Sequence, residues 1–125
     1  MGILTGKNVL ILEDEWLISS DLAVMLDRAD AASAPCFCRC SEAEEFLRHK
    51  TPDFAILDLA LGDGRCVRIA RILIERRVPF IVYSGFQRPS DEEVFSECQR
   101  LLKPAFEEDF ISAIEAEFTR QEIHS

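Results

Sequence analysis

The sequence predicts an open α/β sheet, with parallel strands alternating with helices in a (βα)5 pattern. Three observations carry that reading. Phe54-Ala55-Ile56-Leu57 is an apolar run that leads into Asp58, with Pro52-Asp53 before it and Gly62-Asp63-Gly64 after it. Such a run reads as a strand buried on both faces, which belongs to a parallel sheet covered by helices. Asn8-Val9-Leu10-Ile11-Leu12 is a second run of the same kind, followed by Glu13-Asp14-Glu15. Between the strand signals lie stretches with apolar residues at helical spacing, joined by short connections. That alternation implies right-handed crossovers.

Strand one is Asn8 to Leu12. Helix one runs from about Glu15 to Arg28, with Leu17, Ile18, Leu22, Met25 and Leu26 on its apolar stripe. Trp16 stands beside the acidic run, and partial exposure is expected for it. Ala31 to Pro35 is a turn. Strand two, Cys36 to Cys40, alternates and carries Arg39, so it reads as an edge strand. Ser41-Glu42-Ala43-Glu44 has the form of a capping box, which starts helix two near Glu42 and runs it to about Lys50. Strand three is the run through Asp58, extending to Leu61. Helix three spans about Arg65 to Arg77, with Val67, Ala70, Leu73 and Ile74 facing inward, and Val78-Pro79 ends it. Strand four is Phe80 to Tyr83 and leads into Ser84-Gly85. Pro89-Ser90-Asp91-Glu92-Glu93 contains a second capping box and opens helix four. Strand five is Arg100 to Leu102 and leads into Lys103-Pro104. Helix five runs from about Glu107 to Gln121, with Phe110, Ile111, Ile114 and Phe118 as its stripe.

Bulk properties exclude several classes of function. The chain has 125 residues, enough for one domain with a sizeable core. Its net charge of −9 opposes binding to phosphate backbones, so no nucleic-acid partner is expected. No apolar run has the length of a membrane span. Met1 to Lys7 lacks the apolar segment of an export signal, so a cytoplasmic location is expected. Cys36, Cys38 and Cys40 alternate, but no second ligand pair stands at a metal-site spacing. They read instead as buried or half-buried thiols in a reducing compartment. His49 and His124, the only histidines, read as surface residues.

Open sheets place ligands at the carboxyl ends of their strands. There strand one delivers Glu13 and Asp14, strand three Asp58, strand four Ser84 and strand five Lys103. In a flavodoxin-like, doubly wound order 2-1-3-4-5, the switch point falls between strands one and three, so the two acidic ends are neighbours. Carboxylates with open coordination positions suit Mg2+, a hard cation that prefers oxygen. A hydroxyl, an ammonium and that cation can together hold the three oxygens of a phosphoryl group. A carboxylate can accept the group as an aspartyl phosphate, and Asp58 is the candidate. Singly, an acid pair caps a helix and a lysine is solvated. Gathered at one sheet edge, the five groups make a site.

These segments resemble the receiver domain of bacterial response regulators over nearly the whole chain. Val9-Leu10-Ile11-Leu12-Glu13-Asp14-Glu15, Pro52-Asp53-Phe54-Ala55-Ile56-Leu57-Asp58, Ser84-Gly85 and Lys103-Pro104 stand in that family's order and spacing. The resemblance implies one receiver domain over residues 1–125, a signalling module of a two-component system or phosphorelay without its own output domain. It implies that Asp58 takes phosphate from a histidine kinase or a histidine phosphotransfer protein. Asp14 and Asp58 would bind Mg2+ directly, joined by the backbone carbonyl of Ala60, with Glu13 acting through water. Ser84 and Lys103 would contact the phosphoryl oxygens, and the Lys103–Pro104 peptide would be cis. Such a chain catalyses its own phosphotransfer and a slow autodephosphorylation, and is a signalling phosphoacceptor rather than an enzyme of turnover. A downstream protein partner is implied, unnamed by the sequence, and the family allows a homodimer through the face of helix four, strand five and helix five.

Some positions depart from the family. Arg100 stands where a switch aromatic is usual, and acids of helix four (Asp91, Glu92, Glu93, Glu97) could make that switch electrostatic. Ala105 separates Lys103-Pro104 from Phe106. Pro79 to Phe86 is similar to a subgroup of single-domain receivers with Pro-Phe-x-Phe-Ala-Thr-Gly-Tyr there, but Val82 and Tyr83 break that pattern. Ala60 and Phe86 border the approach of a hydrolytic water and cannot orient one, which implies a long-lived phosphate. Two other readings stand beside the phosphoacceptor. One is a phosphorylation-independent pseudo-receiver interaction module. The other is an aspartate-nucleophile phosphatase of the haloacid dehalogenase type, which wants an acid where Ala60 stands.

Overall fold

The structure is a computed structural model and describes residues 2–58, 60–61, 64–65, 67–84 and 99–124. In chain order its elements are β1 (Val9–Leu12), α1 (Trp16–Arg28), β2 (Cys36–Phe37), α2 (Cys40–His49), β3 (Phe54–Leu57), β4 (Ala60–Leu61) and β5 (Gly64–Arg65). They continue with α3 (Val67–Glu75), β6 (Phe80–Ser84), β7 (Arg100–Leu102) and α4 (Glu107–His124). The main sheet has five strands in the order β2-β1-β3-β6-β7, all parallel. This is the expected 2-1-3-4-5 arrangement. The segment expected to form helix four lies outside the described residues.

Period-two alternation along the strands divides the core between the two faces of the sheet. Leu10, Leu12, Ala55, Leu57, Phe80 and Val82 point to one face and pack with Ala43 and Leu47 of α2 and Ile69, Ala70 and Leu73 of α3. Val9, Ile11, Phe54, Ile56, Ile81 and Tyr83 point to the other, against Leu22, Met25 and Leu26 of α1 and Phe110, Ala113 and Ile114 of α4. Leu4, from the amino-terminal turn, is fully buried in this second cluster. Phe54 stacks on Phe118 with ring centroids 5.4 Å apart.

Several boundaries differ from those expected. The apolar run of strand three stops pairing at Leu57, because its neighbours Leu12 and Val82 are the last residues that pair with it. Ala60–Leu61 instead pairs antiparallel with Gly64–Arg65. Arg65 is therefore a strand residue, and α3 begins at Val67. β2 is only two residues long, and α2 starts at Cys40 behind Arg39, with no side-chain cap, in place of a capping box at Ser41. Leu17 is exposed, as is Ile74, so the inward stripes of α1 and α3 are narrower than expected. Cys40 is disulfide-bonded, which corrects its reading as a reduced thiol; Cys36 and Cys38 are free but exposed, which corrects their reading as buried or half-buried.

Two helices end on the same device. After α1, Asp30 has φ 62°, the Asp30 N–H donates to Asp27 O, and the Ala31 N–H donates to Leu26 O. After α3, Arg77 has φ 58°, the Arg77 N–H donates to Ile74 O, and the Val78 N–H donates to Leu73 O. These are Schellman motifs, which satisfy the last carbonyls of a helix and turn the chain back toward the sheet.

Candidate functional site

β1 and β3 are adjacent and in register, Leu12 opposite Leu57. Each strand ends in a short step, so Glu13-Asp14 and Asp58 emerge side by side. The Asp58 N–H donates to Leu12 O at 2.9 Å, and the Glu13 N–H donates to Phe37 O at 3.0 Å, which fixes both backbones at the edge. One carboxylate oxygen from each of Glu13, Asp14 and Asp58 lies within 4.8 Å of the others. Glu13 and Asp58 are buried and Asp14 is exposed, so the cluster opens to solvent on the Asp14 side.

Lys103 enters from the end of β7. Its Nζ lies 2.8 Å from Glu13 Oε1, 3.0 Å from Asp58 Oδ2 and 3.7 Å from Glu15 Oε1. The Lys103 side chain is only 9% exposed, which makes this a buried ion cluster rather than a surface pair. Burial pushes the Glu13 carboxyl above its ordinary value, and the Lys103 ammonium offsets only part of that rise. Burial also works against the Lys103 ammonium, but its bonds to Glu13 and Asp58 outweigh it and hold the lysine above its ordinary value. The Glu15 N–H donates to Glu13 Oε2 at 3.1 Å.

The donor set fits Mg2+. All three ligand groups are hard oxygens converging on one point. Glu13 Oε1 is buried and lacks a hydrogen bond of good alignment, its 2.8 Å contact with Lys103 being an ion pair. It therefore keeps acceptor capacity for a cation or an ordered water.

The structure thus brings together Glu13, Asp14, Asp58 and Lys103, as expected. The Lys103–Pro104 peptide is cis, also as expected. Ser84 ends β6 opposite Leu102, which sets its backbone at the same sheet edge, and Ala60 begins β4 two residues after Asp58. Arg100 lies half-buried on β7 opposite Val82; the acids expected to face it lie outside the described residues, as does Phe86. Two further residues join the site. Glu15 is a third carboxylate on Lys103, and the acidic run is its signal in the sequence. Tyr83 lies under the lysine, with Nζ 5.6 Å from its ring centroid; its signal is the departure from a small residue before Ser84. Close to the site residues in sequence, Trp16 is 74% exposed and Phe106 is 75% exposed.

No family model matches the sequence, and no curated protein matches it. Solved structures do. The receiver (REC) domain of the PhyR response regulator of Erythrobacter litoralis is similar with TM-score 0.76 and 24% identity, covering 94% of each chain. A CheY-like response regulator receiver domain protein of Methanospirillum hungatei JF-1 superposes with TM-score 0.81 at 16% identity, over 95% of this chain and 98% of that one. The chain has the fold of a response regulator receiver domain. SdrG of Sphingomonas melonis Fr1 adds TM-score 0.80 at 28% identity, over 94% of this receiver-like chain and 99% of SdrG. No helix among the described residues is long and apolar enough to cross a membrane.

Proposed function

We propose that the chain is a phosphoacceptor in two-component or phosphorelay signalling, with Asp58 taking a phosphoryl group from the phosphohistidine of a histidine kinase or histidine phosphotransfer protein. The observation that carries this reading is the placement of Asp58 Oδ2 3.0 Å from the Lys103 ammonium, within the three-acid cluster. In the transfer an Asp58 carboxylate oxygen forms a bond to phosphorus while the P–N bond breaks. The electron pair of that bond returns to the imidazole nitrogen. The phosphoryl group passes through a loose transition state, so positioning and charge neutralisation matter more than covalent help. Lys103 supplies one fixed positive charge for the phosphoryl oxygens, and the Ser84 hydroxyl would donate to another. Glu13, Asp14 and Asp58 would hold Mg2+, with the Ala60 carbonyl as a further ligand, and the bound cation would neutralise the developing charge. The chain catalyses its own transfer and its own slow hydrolysis, and is not an enzyme of turnover. Its output passes to a protein partner.

Mass spectrometry after treatment with acetyl phosphate and Mg2+ tests the assignment. One added phosphate is expected on the parent chain, with none on Asp58→Asn. Equal yields from the two would overturn it.

A further inference from the structure

Two departures from the receiver pattern, Tyr83 before Ser84 and Ala105 after Lys103-Pro104, meet in space. The Ala105 N–H donates to the Tyr83 hydroxyl at 3.1 Å. Lys103, on the other side of Pro104, carries its ammonium over the Tyr83 ring. One side chain therefore touches both ends of the segment that delivers the lysine. We propose that Tyr83 is a positioning residue for Lys103, holding the 103–105 segment by its hydroxyl and the lysine side chain by its ring. The inference rests on the phosphoacceptor reading for its consequence in catalysis, though not for its geometry.

Tyr83 is suited to this role by its setting. It is 5% exposed and lies on the α1/α4 face of the sheet, the face opposite the cluster that holds Val82. Phe110 of α4 meets its ring edge-on at 4.7 Å, which sets the plane of the ring. Beside it lies a cavity of about 300 Å3 lined in part by Leu22, Met25, Pro104 and Ala105. Close packing alone therefore does not fix the 103–105 segment from that side. The hydroxyl bond and the cation–ring contact supply the missing constraint. A half-buried backbone N–H left without an acceptor would otherwise favour a shift of the segment toward water. A displacement of about 1 Å in a charged group is enough to slow a transfer that depends on positioning.

Nuclear magnetic resonance of the protein with labelled lysine gives a readout independent of phosphorylation. A lysine held in one pose shows two distinct ε-methylene proton signals, and a free lysine shows one averaged signal. Distinct signals are expected for Lys103 in the parent chain, collapsing in Tyr83→Phe and in Tyr83→Leu. They should stay distinct in Ile114→Val, a core change on the same face that leaves the segment alone. The second arm is the rate of phosphate uptake from acetyl phosphate. Tyr83→Phe should slow it about fivefold in the parent and leave it unchanged in a Lys103→Ala background, the coupling expected of groups in contact. Lys103 signals unaltered in both Tyr83 variants would overturn the inference, as would equal slowing in both backgrounds. If the parent takes no phosphate, the proposed function falls, and the resonance arm alone decides the role of Tyr83.

Discussion

Glu13 illustrates how a residue of the candidate site works against the fold that carries it. Its side chain is 1% exposed, and burial raises its pKa despite the ammonium beside it. A carboxyl raised above its unfolded value, about 4.3, favours folding in its protonated form. Its contribution to stability is therefore greatest below that value and is lost as pH rises through the folded value. Glu13→Gln removes this dependence and keeps the shape. Relative to the parent, the variant should gain stability as pH rises above the unfolded value in a chelating buffer, read as the difference in urea midpoints. Added Mg2+ should shrink the gain, because only the carboxylate can draw on a nearby cation. A difference that stays constant with pH would show that burial of the charge is not the cost.

At the scale of elements, the Schellman turn after α3 places a non-glycine residue in the left-handed region. Arg77 has φ 58°, where an L side chain costs roughly 1–2 kcal/mol. Its side chain is exposed, so little packing is lost by removing it. Glycine at this position gives up about 0.5–1 kcal/mol through the freedom it adds to the unfolded chain. The backbone relief is the larger effect, and Arg77→Gly should raise stability by about 0.5–1 kcal/mol. The urea midpoint should rise with an unchanged slope; a midpoint that falls would show that the unfolded-state effect dominates. This turn also shows what the sequence hides. The apolar runs of β1 and β3 are legible because both sheet faces are buried, and every residue of such a strand must be apolar. Their ends are legible because charge follows at once, which is why Glu13, Asp14 and Asp58 stand out in the sequence alone. Arg77 gives no such signal, because its conformation is imposed by the Leu73 and Val78 contacts rather than by its own preference. Ala60 to Arg65 read as strand tail and helix start, since two-residue strands have no periodicity to detect. Tyr83 reads as a break in a motif, and only the position of Ala105 gives its hydroxyl a purpose.

Across the whole molecule, the acid cluster sits in a chain that already carries a net charge of −9. Two effects of a divalent cation then have to be separated. Any salt screens the mutual repulsion of a strongly charged chain and stabilises its compact state modestly. A cation bound at Glu13, Asp14 and Asp58 acts differently, because these groups come from strands distant in sequence and converge only on folding. Such a ligand binds the folded chain alone and stabilises it by mass action, about 2.7 kcal/mol at a concentration 100 times its dissociation constant. For a domain of this size that corresponds to a rise in Tm of roughly 10 °C. Lys103 would lower the affinity for such a cation, since its ammonium already neutralises part of the same charge. Calorimetry in saturating MgCl2, compared with NaCl at equal ionic strength, should show that rise in the parent and only the small screening effect in Asp14→Asn. Lys103→Met should bind Mg2+ more tightly and reach the same rise at a lower concentration. An identical response to both salts in all three proteins would mean that the cluster holds no specific cation and that the domain responds only to screening.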